Sequence, residues 1–569
     1  MRTPAIRTVL TGLALATATA VADSDEPPVL VALNAELARS MEILGERPEP
    51  PYFLSYEVTE QDSAAASASF GTLTYSYQRR SRFLDVDLRV GDYDLDNSRP
   101  IRNARRPRRT FTRVPIEDDV DAIRSVLWNR TDATYKQALQ QLTRVRTDIE
   151  VKVDAEDQSA DFSREKAQSS VDRPARLAVD LPDWEAKVRR YTAPFGAYGE
   201  IYRASASLTG STETRWFVNS EGAAIQTSEV RYRLSISATT KADDGMTLPR
   251  YESFSSFTPD GLPDDETVLA TVERMIADLN ALRDAPVVEP YTGPAILSGR
   301  ASGVFFHEIL GHRVEGHRQK RVDEGQTFKK KIDEQILPAG FTVSFDPTRR
   351  TLRDIDLVGA YAYDNQGVPA QRVDVVQDGV FKNFLMSRTP IEGFSNSNGH
   401  GRKQTGYQVV ARQSNLIVEV DNPLTREELK ARLMSLLEEQ DKPFGLLFED
   451  IQGGVTTTGR FMPNAFNVQP ILVYRIYPDG REELVRGVDL IGTPLTTLSR
   501  VTAADDQIAV FNGICGAESG GVPVAAASPA VLVSQIEVQK KSKSQERAPI
   551  LPAPFDETPV HTDGEEAAE

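Results

Sequence analysis

Three of the chain's five histidines fall within eleven residues, as His307, His312 and His317, and Glu308 follows the first of them directly. The stretch reads His307-Glu308-Ile309-Leu310-Gly311-His312-Arg313-Val314-Glu315-Gly316-His317. Imidazole is a preferred zinc ligand, and a catalytic zinc site holds three protein ligands and leaves a position open for water. A glutamate beside the first histidine can take the proton of a water that the metal has acidified. In the familiar His-Glu-x-x-His arrangement the histidines are four apart, about 40° around an ideal helix; here they are five apart, about 140° around. A regular helix would aim them badly. A π-bulge would bring residues five apart onto one face, and Gly311 would lower the resistance to it, so a π-bulged helix is the expectation.

Two histidines need a third ligand. Cys515 is the candidate, the chain's one cysteine, in the glycine-flanked stretch Asn512-Gly513-Ile514-Cys515-Gly516. Zinc ligation would also protect a lone thiol, which can form no disulfide within the chain. His317 could compete for the metal, although a role in orienting the ligands together with Glu315 is the preferred reading of both. The bland alternatives are an inert buried thiol at Cys515 and an ion pair of Glu308 with Arg313 or Arg318. His400 and Arg402, in Gly399-His400-Gly401-Arg402, are candidate substrate contacts, and His400 could also stabilise a developing oxyanion, or equally sit in a turn or an interface.

The motif around His307 and His312 resembles the signature of the TldD/PmbA family of metalloproteases. The Cys515 loop running into Gly521-Val522-Pro523-Val524 is similar to that family's C-terminal pattern, as is Gly399-His400-Gly401-Arg402 followed by Gln413-Ser414-Asn415. The similarity spans roughly residues 290–540. It implies zinc (Zn2+) held by His307, His312 and Cys515, with Glu308 as general base. It further implies an N-terminal α/β domain, a β-rich C-terminal domain, and a dimer of like or related chains enclosing the site. The expected substrates are unfolded or flexible peptides. Having the metal motif, the chain resembles the catalytic TldD type rather than the PmbA-type partner. Two other readings fit the residues: a metal-dependent amidase acting on small peptides, and a non-catalytic, chaperone-like peptide binder with a structural metal.

The elements that must position these residues follow from pattern. The 569 residues suit more than one domain, and 40% hydrophobic with 26% charged residues is ordinary globular composition. Residues 1–22 read as a cleavable signal peptide: Arg2 and Arg7, an apolar run, then Ala20-Val21-Ala22 before acidic residues. A periplasmic or secreted protein cut after Ala22, with no stable membrane anchor, is the expectation. The net charge of −17 argues against nucleic acid as a partner, and so against a direct modulator of DNA topology. The one basic cluster, Arg99 to Arg109, reads as a solvated loop.

Residues 23–290 read as an α+β domain with an antiparallel sheet. Helices are expected at 29–44, 118–150 and 264–283, and strands at 52–59, 67–77, 82–90, 201–206, 214–218 and 230–238. Residues 291–540 read as a β-rich, barrel- or sandwich-like domain that opens on a helical stretch at 295–312. Asp378-Gly379 and Asp479-Gly480 mark hairpins, and a helix is expected at 425–437. The Pro-rich acidic tail, 541–569, reads as disordered.

Overall fold

The computed structural model describes residues 26–101, 111–151, 157–321, 323–460 and 466–541. The signal-peptide segment, most of the basic cluster and all but the first residue of the tail lie outside these. Arg99, which is described, pairs with Asp161 at 2.9 Å. Among the described residues no helix is long and apolar enough to cross a membrane.

The first half is built on a seven-stranded sheet. Its centre is two long antiparallel hairpins, Pro51–Ser69 with Thr72–Val90 and Ile201–Asn219 with Ala224–Lys241, joined by pairing of Pro51–Ser69 with Ile201–Asn219. The sequence breaks the first hairpin differently, because Phe70-Gly71 falls inside the apparent strand 67–77. Both residues have positive φ, 48° and 78°, so the chain reverses there in the mirror-image turn that suits strand twist. Helices Pro28–Gly45 and Val120–Val151 cover one part of the sheet, with Leu30, Leu33, Ile123 and Leu127 against Leu54, Tyr56 and Leu84. Helices Leu181–Thr192 and Asp265–Asp284 cover another, the second capped where Asp264 accepts from the Thr267 amide.

In the second half five strands close into a barrel in the order Tyr291–Leu297, Val531–Lys540, Val488–Gly492, Phe466–Ile476 and Gly445–Thr456, the last pairing back to the first. The α+β expectation holds, and the choice between barrel and sandwich resolves to a closed barrel. Helix Arg426–Glu439, started by a reciprocal Thr425/Glu428 cap, packs Leu429 and Leu433 on the barrel's outside with Ile296, Leu447 and Leu532. A six-stranded sheet lies beside it, in the order Val380–Phe381, Val373–Gln377, Phe341–Phe345, Asn415–Val420, Gly520–Ser528, Ala509–Ala517. Its last two strands form a hairpin, and Gly520–Ser528 runs on almost at once into the barrel strand Val531–Lys540. The two halves meet through buried ion pairs, among them Arg250 with Asp450 at 2.8 Å and Lys403 with Glu57 at 2.6 Å.

Candidate metal centre

Residues 295–297, expected to be helical, belong to the barrel strand Tyr291–Leu297; the helix begins at Gly299 and ends at Ile309. It lies flush on the strand Gly520–Ser528. A Cβ at Gly299 would come within 2.7 Å of Ser528 O, and one at Gly303 within 2.8 Å of Ala526 O, so glycine is what allows the approach. The side chains of Ser302 and Ser528 hydrogen-bond at 2.7 Å, while Phe305, Phe306 and Ile309 fill the core.

The expected π-bulge is not there. The helix instead tightens, through Leu310, into a 3₁₀ turn at Gly311–Arg313. Two side chains satisfy the carbonyls this exit leaves open. Arg313 donates to Glu308 O at 2.7 Å and Gln413 Nε2 to His307 O at 3.3 Å. Gly311 permits the second contact, since a Cβ there would lie 1.9 Å from Gln413 Oε1. The exit swings His312 back toward His307, leaving the rings edge to face with centroids 5.0 Å apart.

Cys515 reaches the same place from the hairpin Ala509–Ala517/Gly520–Ser528, where it pairs with Val522. Strand alternation turns Ile514 out, 60% exposed, and Cys515 in, packed beside Val522 and Val524. The Cys515 Sγ is 3.3 Å from His312 Nε2, and one donor atom from each of His307, His312 and Cys515 lies within 4.8 Å of the others. Tetrahedral zinc with N and S ligands spaces its donors by about 3.3 to 3.8 Å, so this set fits such an ion with small side-chain adjustment. Burial alone would raise the Cys515 thiol, but the two imidazoles outweigh it and hold the group well below its ordinary value. The group is therefore ready to serve as a thiolate.

Glu315 is fully buried and stands 3.4 Å from His312 Nδ1, the nitrogen turned away from Cys515. Burial pushes its carboxyl up, yet Arg318, His312 and Arg412 bring it down to about 2. It is thus an anion that orients His312. Glu308 is also buried, and its Oε2 has no hydrogen-bond partner among the described residues. Gly454, on the barrel strand Gly445–Thr456, passes against it: a Cβ there would come 2.5 Å from Glu308 Cγ. Arg318 turns to Glu315 and Glu518 at 2.7 and 2.9 Å.

The remaining candidates sit elsewhere. His317 is outside the three-donor cluster, with its Nε2 2.5 Å from Glu518 Oε1. His400 and Arg402, read from the sequence as substrate contacts, are both buried and bonded within the chain. His400 contacts the Asn398 carbonyl at 3.1 Å and Ser414 Oγ at 3.1 Å, while Arg402 donates to Gln413 O and Pro523 O. The substrate-contact reading needs an open loop. Gly399 is in fact a positive-φ residue whose missing Cβ would lie 2.2 Å from Pro369 O, so the glycine serves tight interior packing. Arg412 and Glu518 carry no signal of their own in the sequence, because single polar residues in irregular segments have no periodicity, and Gln413 stands out only within the family-like Gln413-Ser414-Asn415.

Burial holds His400 down at about 3, so it is neutral in the folded chain where an unfolded chain would take up a proton near 6.5. Between those values the unfolded state binds the extra proton. Stability therefore falls as pH falls, by about 1.4 kcal/mol per unit from this group. His400→Gln should lose less stability than wild type between pH 6.5 and 5, read by denaturant titration at both values. Equal losses in the two proteins would show that His400 is not the source.

Residues 290–540 match the model of the PmbA/TldA metallopeptidase C-terminal domain. A metalloprotease of Methanothermobacter thermautotrophicus is 27% identical over 365 residues, 63% of this chain and 75% of that protein. A metalloprotease of Archaeoglobus fulgidus is 31% identical over 273 residues, 47% of this chain and 57% of that one. A metalloprotease TldD homolog of Haemophilus influenzae is 25% identical over 252 residues, 43% of this chain and 48% of the other. Among solved structures, TldE from Thermococcus kodakarensis superimposes with a TM-score of 0.57 at 14% identity, covering 89% of this chain and 100% of that chain. A Thermotoga maritima protein described as a putative modulator of a DNA gyrase gives 0.58 at 13%, covering 89% and 99%. At these identities the two structures establish the fold alone. The sequence matches carry the relationship further: residues 290–540, which hold the whole three-donor cluster, form a C-terminal domain of the PmbA/TldD metallopeptidase family.

Proposed function

We propose that the chain is a zinc metallopeptidase that hydrolyses peptide bonds in unfolded or flexible chains. The observation that carries this reading is the convergence of His307, His312 and Cys515 beside Glu308, a buried glutamate whose Oε2 has no hydrogen-bond partner among the described residues. Thiolate and imidazole together favour zinc over magnesium or manganese. A zinc ion there would supply Lewis acidity, polarising a scissile carbonyl and easing loss of a proton from water. Glu308 takes that proton at Oε2 and delivers it to the leaving amine. Glu315 keeps His312 turned toward Cys515 throughout, and the barrel strand at Gly454 limits where the Glu308 side chain can go.

The strand Ala509–Ala517 is the outermost of its sheet and carries Cys515, so an extended peptide pairing along its edge would lie beside the donors. Main-chain pairing gives affinity with little regard to side chains, which suits flexible substrates of varied sequence. The enzyme works as a dimer, with a second copy or a related subunit. The test is digestion of a permanently unfolded protein such as casein, set beside a tightly folded one and short cell-wall peptides. Casein is cut, the folded protein is spared, a chelator stops the reaction and zinc restores it. Preference for the short peptides would favour an amidase, and binding without cleavage a chaperone-like role.

The chain is exported and its first 22 residues are removed. Protein recovered from outside the cytoplasm then begins at Asp23; recovery of intact chain from the cytoplasm alone would refute export.

A further inference from the structure

The segment Arg412-Gln413-Ser414 runs between the short strand Val410–Ala411 and the strand Asn415–Val420, and all three residues are 0% exposed. Two of its side chains touch the three-donor cluster from behind. Arg412 Nη2 donates to Cys515 O at 2.7 Å and lies 3.2 Å from Cys515 Sγ. Its Nη1 donates to Ser519 Oγ and Gly520 O, fixing the turn of the hairpin that carries the cysteine. Its Nε forms an ion pair at 3.3 Å with Glu315, the carboxylate that faces His312. Gln413 Nε2 is 3.3 Å from His307 O and 3.5 Å from His307 Nε2. Its Oε1 is buried, above Gly311, without a hydrogen-bond partner among the described residues.

The segment itself is held from the other side. Arg402 donates to Gln413 O at 2.7 Å, and Ser414 Oγ is 3.1 Å from His400 Nε2. Neither guanidinium nor primary amide is an ordinary zinc ligand. Both are well suited to fixing ligands: the guanidinium fork reaches sulfur, carbonyl and carboxylate at once, which a lysine ammonium cannot do. Partners behind the ligands commonly set metal affinity as strongly as the ligands' own orientation does.

We infer that Arg412 and Gln413 are one positioning element for the metal centre, Arg412 setting Cys515 and, through Glu315, His312, while Gln413 sets His307. The inference rests on the metallopeptidase reading for the identity of the three donors. It adds that the donors' mutual geometry is governed from a single buried segment that contributes no ligand.

The test uses the full chain as wild type, Gln413→Leu and Arg412→Lys, stripped of metal and reloaded with zinc or with cobalt(II). Metal retention against a competing chelator and the thiolate-to-cobalt charge-transfer absorption are read, with circular dichroism to check folding. Gln413→Leu should retain metal about 10- to 100-fold less well, with the charge-transfer band in place because the thiolate contact is intact. Arg412→Lys should lose retention on the same scale and also shift the band. Wild-type retention in folded Gln413→Leu overturns the inference, whether or not Arg412→Lys folds. An unshifted band in folded Arg412→Lys overturns the assignment of Arg412 to the thiolate. Failure of the wild type to take up either metal is a different result and removes the donor assignment along with everything that rests on it.

Discussion

Glu308→Gln is expected to leave the metal content of the protein unchanged and to lower casein hydrolysis by about 10²- to 10⁴-fold, the usual worth of a positioned general base. The replacement has nearly the same shape, so the packing of Glu308 against Gly454 survives it. What it removes is the capacity to accept a proton at Oε2, a buried carboxylate oxygen with no hydrogen-bond partner among the described residues. Gly454→Ala approaches the same group from outside. The new methyl would lie 2.5 Å from Glu308 Cγ and must displace it, and a misplacement of about 1 Å can cost on the order of 100-fold in rate. Steady-state rates normalised to bound metal check both. A Glu308→Gln rate within a few-fold of wild type at equal metal content would remove Glu308 from the mechanism.

Cys515→Ser is the second large effect, and it falls on binding before rate. A serine hydroxyl at that position is a far weaker zinc ligand than a thiolate, which leaves two imidazoles where a stable site needs a third donor. Zinc per chain, about one in the wild type by the coordination argument, should fall well below that in the variant. The thermal midpoint in the presence of zinc should fall with it, because metal binding adds to folding stability. Atomic absorption on protein dialysed against metal-free buffer reads the first, and a melt with and without added zinc reads the second. Equal zinc in the two proteins would eliminate Cys515 as a ligand and turn attention to His317 or a carboxylate.

The parts of this centre that could be read from sequence are those whose chemistry is rare. Histidines five apart with an adjacent glutamate, and a single thiol between glycines, stand out by residue type alone. The shape of the chain between the histidines did not. The 3₁₀ exit after Ile309 depends on Gln413 and Arg313 reaching the open carbonyls, and Gln413 arrives from a segment about a hundred residues away. Capped helices such as Arg426–Glu439 and hairpins with Asp-Gly turns were legible because local chemistry specifies them. The two long central hairpins were not read whole. Runs rich in alanine, serine and threonine at 63–66 and 207–212 look like connections until they are seen paired with each other across the sheet. Closure of the barrel is a long-range event in the same sense, since it requires Gly445–Thr456 to pair with Phe466–Ile476 and with Tyr291–Leu297 together.

His312 and Cys515 touch across 203 residues of chain. At about 5 to 20 residues per second of synthesis, the histidine leaves the ribosome roughly 10 to 40 seconds before the cysteine. During that interval the nascent chain has two imidazoles and a glutamate but no third donor. The strand Val531–Lys540, which completes the barrel, is made later still. The order of the sequence thus acts as a timer: the cluster cannot be assembled until residue 515 has been made, and a product truncated before it would keep the two imidazoles without the thiolate.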